Sequence, residues 1–229
     1  MLVLAHLLAD FILQGRSLSQ KKKESVFFSF LHGFIFFVVS FCLLVVFVAP
    51  TLAPNYLPFL VLLGLSHFLI DLAKNYLEAK FPKQRLEWLV LDQIFHLTVI
   101  YVIVQHLFPV QLIKAPALFD RLLIVACGYI LMWGGAYFVR RLLEKIPPIK
   151  EAEAEYRVGT LIGNLERILI FTLVLVDQYA IIGLVLAAKS IARFEELKQR
   201  DFAEYYLVGT LASTLIAVGT GILVKFLIF

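Results

Sequence analysis

Residues 26–49 have the sequence VFFSFLHGFIFFVVSFCLLVVFVA, which contains no lysine, arginine, aspartate or glutamate. A helix needs about 20 apolar residues to cross ~30 Å of hydrocarbon, so this stretch predicts a membrane-spanning helix. The whole 229-residue chain has the same character. Its residues are 61% hydrophobic and 17% charged, and its mean hydropathy is +0.89. A soluble domain of this size could not bury so much apolar surface, so the composition excludes that class.

Further apolar runs predict further helices, and together they decide the fold class. The long runs are Tyr56–Leu77, Leu86–Phe108, Leu118–Leu143 and 202–229. Shorter membrane segments are expected at 2–14, 159–176 and 180–194, with a turn at Asp177 between the last two. The sequence therefore predicts an all-α, polytopic helical membrane protein with about eight membrane segments. Cys42 and Cys127 lie in apolar runs and are expected to be packing residues.

Lysine and arginine are concentrated in alternate connections between these segments. Basic residues favour the cytoplasmic side of a membrane, which predicts that loops 15–25, 78–86, 144–157 and 195–201 are cytoplasmic. The net charge of +4 is then explained by topology and by contact with anionic lipid head groups, without a nucleic-acid partner. The loop 144–157 is predicted to connect a membrane domain, 1–143, to a C-terminal helical membrane bundle, 158–229.

Histidine and aspartate stand four residues apart at three places inside apolar segments. The three pairs are His6/Asp10, His67/Asp71 and Asp92/His96. A spacing of four puts both side chains on one face of a helix. Ionisable groups inside a membrane are costly and usually serve a function. These pairs therefore predict a polar site, carried by the 1–143 domain.

The predicted topology places these residues at matching depths. Segments three and four run in opposite directions, and the order of histidine and aspartate in their pairs is also reversed. The aspartates are therefore expected nearer the cytoplasm and the histidines deeper, with His32 at a similar level. Four histidines and three aspartates are predicted to converge in the cytoplasmic half of the membrane.

Imidazole and carboxylate groups are ligands of zinc and iron, and a catalytic zinc keeps one position open for water. The predicted ligands of a divalent metal, with zinc favoured over iron or manganese, are His6, His32, His67, Asp71 and His96. Asp10 and Asp92 are predicted to act as catalytic bases. The set is large enough for one metal with supporting groups, or for two metals. Hydrogen bonding between helices is the alternative for each histidine.

Four weaker polar candidates accompany the cluster. Lys74 and Gln14 extend the helix faces of His67 and His6 and are predicted to bind substrate. Lys74 could pair with Asp71 or extend to the membrane interface, and the second interpretation is favoured. Glu166 and Arg167 form a separate polar point inside the 159–176 segment. Because they are adjacent, they face different sides, and each needs a partner from another helix.

Several motifs resemble a bacterial membrane family catalogued as domain of unknown function 3307. They are AHLLADFILQ at 5–14, His32-Gly33, SHFLIDLAK at 66–74 and DQIFHL at 92–97. The segments GNLER at 163–167 and AKSIARF at 188–194 are similar to the second half of longer members. The resemblance implies a location in a bacterial cytoplasmic membrane and supports the positions of the site residues, but it implies no substrate.

Three functions remain open from the sequence. The first is a membrane-embedded, metal-dependent hydrolase that acts on a lipid or lipid-linked substrate from the cytoplasmic leaflet. The second is a transporter that uses the histidines and aspartates as a relay for protons or metal ions. The third is a structural or regulatory membrane protein in which the cluster only packs helices. Crowding of the ionisable residues into one half of the membrane favours a site over a path.

Overall fold

The structure, a computed structural model, describes residues 1–47, 53–106, 117–146 and 153–228. These residues are almost entirely helical and contain no strand. The α-helices are α1 (Leu2–Leu7), α2 (Arg16–Glu24), α3 (Val26–Phe47), α4 (Ala53–Lys80), α5 (Arg85–His106), α6 (Ala117–Leu143), α7 (Glu153–Leu175), α8 (Tyr179–Ala192) and α9 (Arg200–Ile228). A π-helical turn, Leu8–Leu13, continues α1, and short 3₁₀ turns are formed by Pro82–Gln84 and Glu196–Lys198.

Six of these helices, α3 to α7 and α9, are long and apolar enough to cross a bilayer. Two shorter apolar helices, Leu2–Leu13 and Tyr179–Ala192, complete the set. A helix hydrogen-bonds its own backbone, which lipid cannot do, so long apolar sequences adopt this structure in a membrane. The predicted all-α polytopic fold is confirmed.

Local differences from the sequence prediction occur at two places. A loop was predicted at 15–25, but most of it forms the polar helix α2. The segment predicted at 159–176 belongs to a longer helix, α7, which begins at Glu153. The turn predicted at Asp177 is present. There the backbone has a φ of 59°, a left-handed conformation that aspartate tolerates better than most residues.

The chain forms two compact units, Met1–Leu123 and Ile124–Phe229. In the first unit, α3 and α4 approach closely where two glycines face each other. A Cβ atom on Gly33 would lie only 2.8 Å from the backbone oxygen of Gly64, so this approach requires glycine. His32 precedes Gly33, and His67 lies one turn beyond Gly64. The close contact therefore brings these two histidines side by side.

An apolar core lies next to these histidines in the first unit. It is formed by buried residues of α1, the π-helical turn, α3, α4 and α5: Leu2, Ala5, Ala9, Phe36, Leu60, Leu63, Ile100 and Ile103. The same four helices carry all the predicted histidines. Packing of this core therefore fixes the faces on which the polar side chains meet.

The second unit has its own core, built from α6, α7, α8 and α9. Met132, Phe171, Val174 and Ala217 are fully buried in it. The connector predicted at 144–157 includes residues 147–152, which lie outside the described residues. The domain boundary placed there stays a prediction.

Candidate functional site

The first site residues are held by an unusual helical turn. Asp10 lies in the π-helical turn, where the Gln14 N–H donates to the carbonyl of Ala9, five residues earlier, at 2.9 Å. Single π-helical turns are rare and are frequent at functional sites. His6 is completely buried on α1, and its Nδ1 lies 3.8 Å from Asp10 Oδ1. That distance is too long for a hydrogen bond.

Four histidine rings form one continuous buried group. The ring centroids of His67 and His96 are 4.1 Å apart, those of His6 and His96 are 4.8 Å apart, and those of His32 and His67 are 4.9 Å apart. Each of the four is at most 2% exposed. Phe36, with its ring centroid 4.8 Å from that of His67, connects the group to the apolar core. The structure therefore brings all four predicted histidines together.

Asp10 is at the centre of the site. Its Oδ1 is hydrogen-bonded to His32 Nε2 at 3.1 Å and lies 3.3 Å from His67 Nε2 without a hydrogen bond. Its Oδ2 accepts a hydrogen bond from Gln93 Nε2 at 3.0 Å, and Gln93 Oε1 lies 3.2 Å from His6 Nε2. The Asp10 carboxylate thus faces imidazoles from three helices. It lies closer to His32 and His67, on other helices, than to His6, its i,i+4 neighbour.

The other two aspartates are paired with lysines. Lys22 Nζ on α2 donates to Asp71 Oδ2 at 2.5 Å, and Lys74 Nζ on α4 donates to Asp92 Oδ2 at 2.9 Å. The pairing of Lys74 corrects the sequence prediction, which favoured extension to the interface and otherwise a pair with Asp71. The Asp92 carboxylate, on α5, lies within reach of Lys74 because α4 packs against α5. Gln14 also contacts a lysine, since its Oε1 accepts from Lys22 at 3.1 Å.

Lys22 is a site residue that the sequence analysis missed, as is Gln93. Its side chain is 4% exposed, although it lies between two other lysines in a polar helix. Asn75 Nδ2 donates to the Lys22 backbone oxygen at 3.1 Å, and Ser29 Oγ donates to the same oxygen at 3.4 Å. These two bonds anchor α2 against α3 and α4. Only tertiary contacts distinguish Lys22 from Lys21 and Lys23.

Several potential ligand atoms in the cluster are buried and have no hydrogen bond in the described part of the chain. They are both ring nitrogens of His67, Nδ1 of His6, Nδ1 of His32, Nε2 of His96 and Oδ1 of Asp92. His96 Nε2 and Asp92 Oδ1 are only 3.4 Å apart, yet they are not aligned for a hydrogen bond. Buried polar groups are normally satisfied, so this concentration needs an explanation.

The donor atoms fit a metal ion. Three groups have ligand atoms within 4.8 Å of one another: His6/His67/His96, Asp10/His32/His67 and Asp10/Asp92/His96. Zn–N and Zn–O bonds of about 2.0–2.2 Å imply donor atoms about 3.3–3.5 Å apart in a tetrahedron. The 3.3 Å and 3.4 Å separations given above fall in this range. Ligands of one ion would point toward a common centre instead of toward each other, an arrangement that gives close atoms without hydrogen-bond geometry.

The structure places the three aspartates differently with respect to the donor groups. The sequence prediction made Asp71 a ligand and made Asp10 and Asp92 catalytic bases. The donor groups contain Asp10 and Asp92, whereas Asp71 lies 3.8 Å from His32 Nε2 and 3.9 Å from His67 Nε2 and is held by Lys22. Asp71 therefore borders the donor groups instead of belonging to them.

Glu166 and Arg167 belong to the second unit and have partners on other helices, as their adjacency predicted. Lys189 Nζ on α8 lies 2.5 Å from Glu166 Oε2. Arg167 is 2% exposed. Its Nε donates to the Met132 carbonyl at 2.8 Å, its Nη1 donates to Ser213 Oγ at 2.9 Å, and its Nη2 donates to Asn164 Oδ1.

A family model described as "Protein of unknown function (DUF3307)" matches residues 1–123, the part of the chain that contains the whole cluster. The match covers more than half of the sequence, and the chain belongs to this family. No curated protein and no solved structure matches the chain.

Proposed function

We propose that this protein is a membrane-embedded, metal-dependent hydrolase that acts on a lipid or lipid-linked substrate. The main support is the set of buried donor atoms that approach one another without hydrogen bonds, on His67, His96 and Asp92. Leaving one such group unsatisfied costs about 1–3 kcal/mol. A bound cation would remove this cost for several groups at once.

The donor types favour zinc, with iron and manganese as the other candidates. Imidazole suits zinc and iron, carboxylate suits manganese as well, and the cluster contains no thiolate. The proposed ligands are His32 and His67 with Asp10, and His96 with Asp92 and His6 close by. A bound divalent ion would lower the pKa of a water molecule toward ~7, which supplies a nucleophile at neutral pH.

The chain's own residues would handle protons and charge around that ion. Asp71 is outside the donor groups but within 4 Å of two of their imidazoles, so it is placed to take the proton of the attacking water. Lys22 holds Asp71 in position through the 2.5 Å contact. In hydrolysis, the water oxygen bonds to the electrophilic atom, the ester bond breaks, and the proton returns to the leaving oxygen.

The location of the site supports a lipid substrate. The cluster is built from helices that can span a membrane, together with the short apolar segment Leu2–Leu13. The lysine-rich helix α2 contributes Lys22 at one side of it. Basic residues favour the cytoplasmic face and attract anionic head groups. We therefore propose access from the cytoplasmic leaflet of a bacterial cytoplasmic membrane, with Lys74 and Gln14 next to the substrate.

A proton relay, as in a transporter, is the second candidate, and one observation favours it. The cluster has one negative charge in excess, because it contains three carboxylates and only two ammonium groups. The carboxylates are those of Asp10, Asp71 and Asp92, and the ammonium groups are those of Lys22 and Lys74. If all four imidazoles are neutral, one added proton would neutralise the cluster. Neutrality matters because an uncompensated charge in a low-dielectric interior is costly. A divalent ion together with one hydroxide would give the same balance, so charge alone does not separate the two functions.

Metal content separates them. The protein, purified in detergent and reconstituted with zinc, iron or manganese, should contain stoichiometric metal by elemental analysis. His67→Ala should lose it while remaining inserted in the membrane, because the apolar length of α4 is unchanged. His106→Ala is the matched control, since this histidine is exposed and outside the cluster, and it should retain the metal. Wild-type protein without metal under all three conditions would overturn the proposal and favour the relay.

A further inference from the structure

We propose that the cluster holds two divalent cations bridged by Asp10, and that its substrate carries a phosphate group. This inference rests on the hydrolase function proposed above. It makes two additional statements about the same site, namely the number of ions and the chemical class of the substrate.

Two of the three donor groups contain Asp10, and they share no other residue. Asp10, His32 and His67 form the first, with the 3.1 Å and 3.3 Å separations from Asp10 Oδ1. Asp10, Asp92 and His96 form the second. A carboxylate has two oxygens and can bind one ion with each. Asp10 is therefore the natural bridge between two ions.

One ion does not satisfy the whole cluster. Zinc in proteins takes about four ligands. An ion in the first group would leave His96 Nε2 and Asp92 Oδ1 buried without a partner, and an ion in the second would leave His67 Nε2 without one. An ion in the remaining group, His6/His67/His96, would leave Asp92 Oδ1 without a partner. Two ions satisfy all three atoms. His6 stands beside both His67 and His96 and can complete either coordination shell.

The spacing of the two groups also suits a pair of ions. His67 belongs to one group and His96 to the other, and their rings stack with centroids 4.1 Å apart. Metal ions in two-metal hydrolytic sites are about 3.5–4 Å apart. Ligand rings stacked at this distance can direct one nitrogen each toward neighbouring ions.

Charge balance then indicates the substrate. The cluster with neutral imidazoles has one negative charge in excess, so two divalent cations would leave three positive charges. A phosphate monoester with two negative charges offsets most of this excess and a diphosphate with three offsets all of it, whereas an uncharged carboxylic ester offsets none. Burial inside a membrane penalises the unbalanced state strongly. A phosphate monoester or diphosphate on a lipid therefore fits this site.

The corresponding reaction is balanced without any further reagent. A water oxygen forms a new bond to the terminal phosphorus. The bond that breaks joins this phosphorus to the lipid oxygen in a monoester, or to the bridging oxygen in a diphosphate. The water gives one proton to Asp71, and that proton is returned to the leaving oxygen. The products are the lipid alcohol, or its monophosphate, and inorganic phosphate.

Metal counting with single-group variants tests the number of ions. Full-length wild type, loaded with zinc or manganese in detergent, should contain two ions per chain. His32→Ala and His96→Ala should each retain one ion, Asp10→Asn should retain none tightly, and His106→Ala should retain two. In the manganese form, electron paramagnetic resonance should show coupling between the ions in wild type and none in the two single-ion variants.

Each contrary outcome has a defined meaning. One ion per chain in wild type would overturn the two-ion proposal and leave the hydrolase proposal standing, while no ion would overturn both. Loss of both ions from His32→Ala and His96→Ala alike, with intact circular dichroism, would contradict two separate groups. Inorganic phosphate should raise the thermal unfolding midpoint of the two-ion wild type but not of either single-ion variant. Equal shifts in all three would overturn the phosphate assignment.

Discussion

His67 and Arg167 are both buried polar residues in long apolar helices, but their surroundings differ. Arg167 donates hydrogen bonds to three acceptors, two of them on other helices. His67 has no hydrogen bond at either ring nitrogen among the described residues, and two carboxylate oxygens lie within 3.9 Å of one of them. The hydrogen-bonding groups of Arg167 have partners within the protein. Those of His67 have none within the described ranges, although potential metal ligands lie next to them.

The difference separates structural polar groups from binding groups. A satisfied buried group stabilises a particular helix arrangement and needs nothing further. A convergent set of unsatisfied groups lowers stability until something binds, which is typical of functional sites. The comparison therefore predicts opposite effects on stability for substitutions in the two regions.

The largest effect is expected at the edge of the cluster, where satisfied and unsatisfied groups meet. Lys22→Met removes the buried cation that neutralises Asp71, which should lower the free energy of unfolding by about 3–5 kcal/mol. Denaturant unfolding in detergent with a chelator measures this. Lys21→Met is the matched control, because Lys21 is exposed on the same helix and its contact with the Phe28 ring should contribute at most about 1 kcal/mol. Equal effects of the two substitutions would contradict the buried position of Lys22.

Arg167→Met should be destabilising by about 1–3 kcal/mol, because three acceptors lose their donor. Metal content should not change. Arg200→Met, at a position whose side chain is 88% exposed, should leave stability almost unchanged. A loss of bound metal in correctly folded Arg167→Met protein would show that the second polar region is not purely structural, and would weaken the comparison.

His67→Phe should have the opposite sign in the absence of metal. It replaces two unsatisfied nitrogens with apolar atoms beside Phe36, so the chelated variant should be as stable as wild type or more stable by about 1 kcal/mol. Metal should then stabilise wild type but not the variant, by about 2.7 kcal/mol at a hundredfold excess over the dissociation constant. Strong destabilisation of the chelated variant would indicate that His67 is a structural residue like Arg167.

The smallest effect is expected at an exposed pair in the turn after α7. Lys225 Nζ donates a hydrogen bond to Asp177, and this bond lowers the pKa of the Asp177 carboxyl group. A lowered pKa means stabilisation at neutral pH that is lost as the pH falls through that value. Asp177→Asn should shift the unfolding midpoint at pH 7 very little, and the difference should disappear in acid. A large shift at pH 7 would show that exposed pairs also matter in this fold.

The four-residue spacing of histidine and aspartate predicted which helix faces meet, because helix geometry puts residues four apart on the same face. The four histidines and three aspartates do come together. Five of the six long helices were visible as long apolar runs, and the sixth, α7, was expected as a shorter segment. Spacing could not predict which carboxylate each residue contacts. His67 lies closer to Asp10, on another segment, than to Asp71 on its own helix. Partner choice depends on how far each helix rotates when the core packs.

Two features left no distinct signal in the sequence. Lys22 resembles the lysines on either side of it, and positive residues after a membrane segment usually mark only topology. The π-helical turn at Leu8–Leu13 has the sequence LADFIL, which contains neither glycine nor proline, the residues that most often mark an irregular helix. Both features decide the electrostatics around the aspartates.

The π-helical turn makes the site sensitive to chain length as well as to residue identity. The turn contains more residues than an α-helical turn, and Leu13 in it is 48% exposed, so substitutions at this position should be well tolerated. Deleting Leu13 is different, because it would let an ordinary i→i+4 bond form and would shorten by one residue the chain that leads through Gln14 and Gly15 to α2. Lys22 would then be displaced from Asp71, although neither residue had been altered. In laboratory evolution of this protein, loss of one codon in this turn would therefore be more harmful than replacement of that codon by almost any other.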